Sequence, residues 1–429
     1  MRILITGASG MLGRALVHSL RAAGHSVLAT GRSAPAAGKG EADFLRADFA
    51  ELPDANWWEP RLAGINVVIN TAGIFRESGR QTFEAVHAHG PAALFEASAR
   101  AGVRLVIQVS ALGSDAAAQT AFHRSKREGD EALRALAIPS AIVQPSLVYS
   151  PEGASTQLFH RLAVSPVLVL PRGGEVQPVH IDDVVAGVES LVAKPPAGCA
   201  TVAFVGPVPL SLRDYLAALR KGLGLGPADP SMWFTLPAGV FRVLGRLAGW
   251  LRSSLLNRDS VDMLLRGNTA DPQPFARLLG RGAMAPQAFI GRDRAPALRA
   301  QAVLGLAAPL MNAAVAAVWT WTGLVSLGLY PVAQSLQLLS DFGLQGGVAV
   351  LALYTAAMLD LALGVLTLAA RGRWRRRTLL FQLLLIAAYT VMISATMPHW
   401  WLHPFGPLSK NLPMLVGIAL LLAWEQRRP

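Results

Sequence analysis

The sequence predicts an α/β doubly wound parallel sheet followed by an α-helical domain with four membrane spans. Three observations predict it. Through residues 1–206, short β-branched runs alternate with stretches of helical period, the mark of βαβ units in a parallel sheet with helices on both faces. A glycine-rich turn, Thr6-Gly7-Ala8-Ser9-Gly10-Met11-Leu12-Gly13, joins the first strand to the first helix. Residues 303–424 hold four long apolar stretches, to be set against the ~20 residues that a spanning helix needs.

Composition agrees with a chain of two characters. Of 429 residues, 52% are hydrophobic and 15% charged. An average soluble chain carries about 25% charged residues, so a wholly soluble chain and a disordered one are both excluded. Cys199 is the one cysteine, which excludes an intrachain disulfide framework and a multi-cysteine metal centre, and no metal site is expected. The last 129 residues hold 8 basic and 3 acidic residues, against 31 and 24 in the first 300. Three regions are therefore expected: a nucleotide-binding domain over 1–206, a mixed substrate or linker region with amphipathic helices over 207–300, and a transmembrane domain over 301–429.

In chain order, Arg2–Thr6, Ser26–Thr30, Phe44–Asp48, Asn66–Ala72, Arg104–Ser110 and Ser140–Pro145 read as buried strands. Met11–Ala23 and Gln81–Ala101 carry a helical period, and Pro195-Pro196-Ala197-Gly198 closes a helix that begins near Asp182. The apolar run that opens the chain breaks at Gly7, short of the ~7–15 residues of a secretory signal, so this region is expected to begin and stay in the cytoplasm. Trp233–Leu256 sets Phe241, Leu244, Leu247, Trp250 and Leu251 between Arg242, Arg246 and Arg252. That pattern suits a core-facing helix with solvated arginines, and less well a helix lying on a membrane surface.

The spans are expected at Leu310–Leu329, Gly347–Ala370, Leu379–Met397 and Leu412–Trp424, the last completed by snorkelling of Lys410. Arg371–Arg377 joins the second and third; Arg292, Arg294 and Arg299 precede the first; Arg427 and Arg428 follow the fourth. With four spans all these clusters fall on one side, and the other side keeps Lys410 alone. The positive-inside rule then puts both termini in the cytoplasm of an inner-membrane protein. Topology accounts for most of the net charge of +12, so nucleic acid is not an expected partner.

The glycine turn recurs as GxxGxxG. Glycine lets the backbone approach a pyrophosphate closely, and a helix N-terminus offers free N–H groups and partial positive charge. Gly7, Ala8, Ser9, Gly10, Met11, Leu12 and Gly13 are the expected phosphate loop. The second strand ends in Thr30-Gly31-Arg32-Ser33. No carboxylate stands there to bind two ribose hydroxyls, and Arg32 suits a 2′-phosphate, so NADP(H) is favoured over NAD(H).

The turn and the segments after it resemble the short-chain dehydrogenase/reductase superfamily in its extended or atypical branch, which shares the Rossmann fold. The resemblance is dense over residues 1–206, and Arg258 to Ala285 is similar to the branch containing a complex I accessory subunit. It implies that Asp48 and Phe49 border the adenine. It gives Asn70-Thr71-Ala72-Gly73 the fourth-strand turn, with Thr71, Ala72 and Gly73 at the cofactor. Ser110 falls at the catalytic serine, Pro145 opens the segment flanking the nicotinamide, and Val179–Val184 matches the branch's "vHvdDva" stretch. The family's chemistry uses Tyr-x-x-x-Lys on one helical face. Here that register reads Phe122-His123-Arg124-Ser125-Lys126: the lysine is present and the tyrosine is not.

Ser110 and Lys126 are the catalytic candidates that remain. Three outcomes stay open: another acid such as His123, transfer to a quinone-like acceptor protonated by water, or nucleotide binding without turnover. Leu402–Pro413 resembles the "GPltKNlP" signature of DoxX-like membrane proteins, some of which are linked to quinone chemistry. Asn411 is expected to cap the last helix. Asp360, inside the second span, needs a partner such as Asn312, Thr320, Tyr389 or Ser394. His399 and His403 flank Trp400-Trp401 at the outer interface, where the tryptophans suit anchoring.

The combined expectation is a membrane-tethered NADPH-binding oxidoreductase acting on a quinone or other lipid. The alternatives are a non-catalytic nucleotide-binding module in a membrane complex and a lipid-linked substrate epimerase.

Overall fold

The computed structural model describes residues 1–33, 43–227, 232–237, 239–240 and 266–425. The chain divides into two compact units, Met1–Ala302 and Val303–Pro429.

The first unit is built on a seven-stranded parallel sheet. Its strands are β1 (Arg2–Thr6), β2 (Ser26–Gly31), β3 (Phe44–Arg46), β4 (Val67–Asn70), β5 (Leu105–Val109), β6 (Ser140–Pro145) and β7 (Cys199–Phe204), in the order β7-β6-β5-β4-β1-β2-β3. Alternation along each strand sorts the side chains onto two faces. Ile3, Ile5, Val67, Ile69, Leu105, Ile107, Ala141 and Val143 point to one face, against Leu16 and Leu20 of helix Met11–Ala22 and Val184 and Val188 of helix Ile181–Ala193. Leu4, Val68, Val106 and Ile142 point to the other, against Leu94 and Phe95 of helix Gly90–Arg100 and Leu133 of helix Ala121–Arg134. A continuous apolar run thus becomes a strand covered on both sides. A third cluster, holding Tyr149, Leu168, Leu170, Tyr215, Leu219 and Phe289, forms beside it.

Several elements differ from expectation for local reasons. The strand expected to reach Asp48 stops at Arg46, because Asp48 turns its carboxylate to the Ala50 N–H and opens a 3₁₀ turn. The strand expected to reach Ala72 stops at Asn70, whose Oδ1 accepts the Ala72 N–H at 3.2 Å. The helix expected over Gln81–Ala101 begins as a π turn, Glu84–His89, and becomes α-helical only at Gly90. Pro91 has no N–H to donate in the α-helical pattern, which releases the His87 carbonyl. That carbonyl packs against Gly129, where a Cβ would come within 2.1 Å of it. Trp233–Leu236, expected to open an amphipathic helix, is instead a strand paired with Leu168–Pro171, and its Trp233 side chain is buried. Most of the remainder of that expected helix, with Arg258-Asp259 and Arg427-Arg428, lies outside the described residues.

The second unit is helical. Helix Ala295–Leu324 enters it and runs through a π turn, Val325–Leu329; helices Gly346–Ala369, Gly372–Thr396 and Asn411–Glu425 follow. The first three helices are long and apolar enough to cross a membrane; the fourth has 15 residues, about 22 Å of helix. Leu310, Leu351, Leu384 and Val391 are exposed on their outer faces. Inside, Val315, Trp319, Leu363, Leu379, Ile386, Ile418 and Leu421 form a core to which all four helices contribute. Small residues let the helices approach: a Cβ on Gly364 would meet Thr320 Oγ1, and one on Gly323 would stand 2.8 Å from the Ala357 carbonyl oxygen.

The arginine run that joins the second and third spans is helical from Gly372. Arginine is a good helix former, and Arg375 is held by partners inside the bundle. Its Nη2 donates to Asn312 Oδ1 at 3.0 Å, and its Nε lies 2.8 Å from Glu425 Oε1. Asn312 Nδ2 reaches the Thr367 carbonyl at 3.2 Å, and Gln382 Nε2 donates to Thr367 Oγ1 at 2.8 Å. One polar knot therefore joins all four helices. Asn312 is engaged there, so it does not serve Asp360, which lies half-buried beside Thr322 and Tyr389. Asn411 Nδ2 donates across the bundle to Thr390 Oγ1 at 2.9 Å. The connection between the first and second of these helices contains a further helix, Val332–Asp341.

Arg375→Ala should destabilise the full chain in detergent by ~2–3 kcal/mol, because it removes the cation from a largely buried pair. Arg375→Lys should restore only part, since an ammonium lacks the fork that spans Asn312 and Glu425. Thermal unfolding of the three proteins measures this; equal melting temperatures would show that the knot contributes nothing.

Candidate functional site

The site grows from the turn after β1. Gly7 has φ 65°, and a Cβ there would lie 2.7 Å from the Ala72 backbone nitrogen. A Cβ on Gly13 would lie 2.3 Å from the Gly7 carbonyl oxygen. Glycine is required at both positions: the first by conformation and contact, the second by contact alone. The following helix starts at Met11 with Gly10 as its cap residue and no side-chain hydrogen bond. Its first-turn N–H groups are thus left for an anion. The Ala8 N–H is committed to the Thr30 carbonyl at 3.0 Å, so Ala8 serves the turn by its backbone.

A cleft opens at the carboxyl ends of β1, β2 and β4. This is where strand order reverses, the position at which open α/β sheets take ligands. Gly7, Ser9, Gly10, Arg32, Asp48, Phe49, Thr71, Ala72 and Gly73 line it together. Thr30, Gly31, Ile74, Gln81 and Val86 also line it and were not singled out from sequence. Asp48 receives Gln81 Nε2 at 2.9 and 3.1 Å, so its carboxylate is oriented by a residue 33 positions away. Arg32 is exposed at the rim. Beneath the cleft, Asn70 links Thr6, Ala72 and Gln108, tying the ends of β1, β4 and β5.

Lys126 lies at the Gly73 end. It is buried, and Nζ donates to Val109 O at 3.0 Å and Ala72 O at 3.3 Å. A Cβ on Gly73 would come within 3.2 Å of that ammonium. Burial lowers the Lys126 pKa to about 8, partly opposed by Asp130 one turn along the helix. Phe122, one turn earlier, stacks on Phe75 with centroids 5.2 Å apart and meets Phe83 and His87 edge-on. Phe122 is thus the centre of an aromatic cluster.

His87 is the residue that sequence reading missed most clearly. It is fully buried, and its Nε2 accepts the Ile74 N–H at 3.0 Å. The ring proton must then sit on Nδ1, facing Ser125 Oγ at 2.9 Å. Burial, and then the Lys126 charge, hold His87 far below its ordinary value, at about 2. It is a neutral brace for the Gly73-Ile74 turn. His123, the alternative acid, is buried with Nδ1 at 3.0 Å from Thr120 Oγ1; burial and then Arg266 keep its pKa low. Its Nε2 lies near Gly113, on the loop that Arg266 ties through Gly113 and Asp115. Ser110 Oγ donates to Asp130 Oδ2 at 2.6 Å. Pro145 sits at the end of β6 and accepts the Leu112 N–H at 3.0 Å, holding the loop after β5.

Comparison with known proteins agrees with this architecture. Residues 3–201 match the NAD dependent epimerase/dehydratase family, and residues 316–420 match the DoxX-like family. The chain belongs to the NAD-dependent epimerase/dehydratase family, of short-chain dehydrogenase/reductase type, and carries a DoxX-like membrane domain at its C-terminal end. Among its relatives, it is 31% identical over 266 residues to the ceramide reductase of Caulobacter vibrioides, covering 60% of this chain and 80% of that one. It is 30% identical over 257 residues to subunit 9 of the NADH dehydrogenase [ubiquinone] 1 alpha subcomplex of Mus musculus, covering 57% and 66%. In fold it is similar to a short-chain dehydrogenase/reductase superfamily protein from Agrobacterium tumefaciens solved with bound NAD. The TM-score is 0.52 at 16% identity, over 71% of this chain and 99% of that one.

Acid should test the His87 brace. Between pH 6.5 and about 2 the unfolded chain binds a proton at this residue that the folded chain refuses. Stability therefore falls as pH drops below 6.5, by ~1.4 kcal/mol per pH unit for this group. In His87→Gln the slope of unfolding free energy against pH should be shallower by about one proton. An unchanged slope from denaturant titrations at several pH values would place the acid sensitivity elsewhere.

Proposed function

We propose that this chain is a membrane-tethered, NADP(H)-dependent oxidoreductase whose acceptor is a carbonyl carried by a membrane lipid. The observation that carries the reading is the buried Lys126 ammonium at the Gly73 end of the cleft. The residues present fit a dinucleotide, because the Gly7–Gly13 turn leaves a cradle that Cβ atoms would fill. In this reading Gly7, Ser9, Gly10, Met11, Leu12 and Gly13 hold the pyrophosphate, with Ala8 shaping the turn. Asp48 and Phe49 border the adenine, and Arg32 meets a 2′-phosphate. Thr71, Ala72, Gly73 and Pro145 flank the nicotinamide, and Lys126 holds its ribose. The bound cofactor supplies the hydride; the chain orients it, excludes water and provides the proton. The similarity to a ceramide reductase supports a lipid acceptor over a free quinone.

Residues 1–206 form the nucleotide-binding domain in this account, 207–300 the substrate side and 301–429 the anchor. The anchor spans an inner membrane four times with both termini cytoplasmic. Three helices meet the length requirement, and Arg375 and Glu425 pair at one end of the bundle, which supports a fourth span. A second reading, a nucleotide-binding module without turnover, draws support from the packed Phe122 cluster and from the similarity to subunits of a respiratory complex.

Titration of the full chain in detergent should show tighter binding of NADPH than of NADH. Arg32→Ala should remove about tenfold of that preference, the worth of a hydrogen bond to a charged group. Equal affinities in the wild type would end the argument for NADP(H). Reporter fusions after Glu425 and within Ser335–Gly343 should report opposite sides of the membrane. Reporters on one side would mean that the bundle does not cross four times.

A further inference from the structure

We propose that Ser110 is the proton donor of this site and that Asp130 recharges it. The proposal rests on the reductase reading above. With Phe122 at the phenol position, and with Lys126 assigned to the ribose, the acid is sought in another exchangeable proton near Lys126. Phe75 and Phe83, which surround Phe122, have none. His87 holds its proton on Nδ1 toward Ser125, away from the Gly73-Ile74 turn. Lys126 gives two of its three N–H groups to Val109 O and Ala72 O.

Ser110 follows Val109 at the carboxyl end of β5. Its backbone N–H is fixed to the Val143 carbonyl at 2.8 Å, and its hydroxyl is 2.6 Å from Asp130 Oδ2. Asp130 is fully buried, and its Oδ1 accepts no hydrogen bond from the described residues. A buried carboxyl with one oxygen unpartnered is better held neutral than charged. Burial raises its pKa to about 6; Ser110, Lys126, Arg134 and Gln144, the groups that face it, pull the other way.

In its neutral form Asp130 donates to Ser110 Oγ, which frees the serine proton for the acceptor. As hydride and its electron pair reach the carbonyl carbon, the C=O π pair moves to oxygen. That oxygen takes the Ser110 proton, and Ser110 takes the proton of Asp130. The lipid ketone becomes a secondary alcohol, the cofactor is oxidised, and Asp130 is left as a carboxylate. A solvent proton restores it through Ser110 after the product leaves. Asp130 acts only through the serine, so it is a positioning and proton-storing residue.

The test uses the full chain in dodecyl maltoside micelles with NADPH and a long-chain methyl ketone. For the wild type, kcat/KM should fall as pH rises through about 6, where Asp130 loses its proton, and again near 8, where Lys126 loses its charge. In Asp130→Asn the limb near 6 should vanish, with turnover lower by roughly 10²-fold or more. Independently of turnover, infrared spectra of the wild type without nucleotide should contain a protonated-carboxyl band that titrates near pH 6 and is absent from Asp130→Asn. Persistence of the lower limb in Asp130→Asn, or no such band in the wild type, would overturn the assignment and leave the reductase reading standing. A wild type that binds NADPH yet reduces no ketone would overturn both.

Discussion

Three backbone segments meet within van der Waals distance at the end of β1, and the rest of the first unit depends on that contact. Gly7 touches Ala72, and Gly13 touches Gly7. Neither contact leaves room for a side chain. Together they fix where the first helix starts relative to β4. The strand order reverses at this same end of β1, and the cleft opens there. The Asn70 amide repeats the constraint one layer down, joining β1, β4 and β5. The glycine turn is therefore a packing device as well as part of the cleft wall, and the fold and the cleft share it.

The layer beneath the cleft explains how a cationic group survives burial. Lys126 is held by two backbone carbonyls, while His87 avoids adding a second positive charge by staying neutral. Desolvation is the largest contribution at His87, Lys126 and Asp130, and it pushes each toward its neutral form. The second unit meets the same difficulty with different chemistry. Arg375 is kept inside an apolar bundle by Asn312 and Glu425, so that one side chain links helices from every part of the domain.

Much of this was legible in sequence, and the failures have physical causes. β1, β6 and the helix beginning at Met11 could be read because their apolar patterns are long and their boundaries are marked by Gly10 or Pro145. The strand Cys199–Phe204 was missed; it is a partly exposed edge strand of mixed residues, without the signature of a buried run. Arg371–Arg377 reads from sequence as the junction of two spans; that it is helical from Gly372 and that Arg375 pairs with Glu425 depends on partners elsewhere in the bundle. Of the cleft lining, Gly7, Ser9, Gly10, Arg32, Asp48, Thr71, Ala72 and Gly73 were legible because short segments carry them; Ile74, Gln81 and Val86 were not. His87 and Asp130 were not, since each acquires meaning only from partners 38 and 20 positions away. Asp130 had one local signal: it stands four residues after Lys126, on the same helical face.

The central claim is that the glycine cradle and Lys126 form one dinucleotide site. Calorimetric titration of NADPH into the purified full chain, its Lys126→Ala variant and its Gly13→Val variant tests it directly. The account predicts saturable one-to-one binding in the wild type, binding weakened about tenfold in Lys126→Ala, and none in Gly13→Val, where the side chain would occupy the turn. Absence of binding in a folded wild type, or equal affinity in all three proteins, would contradict it.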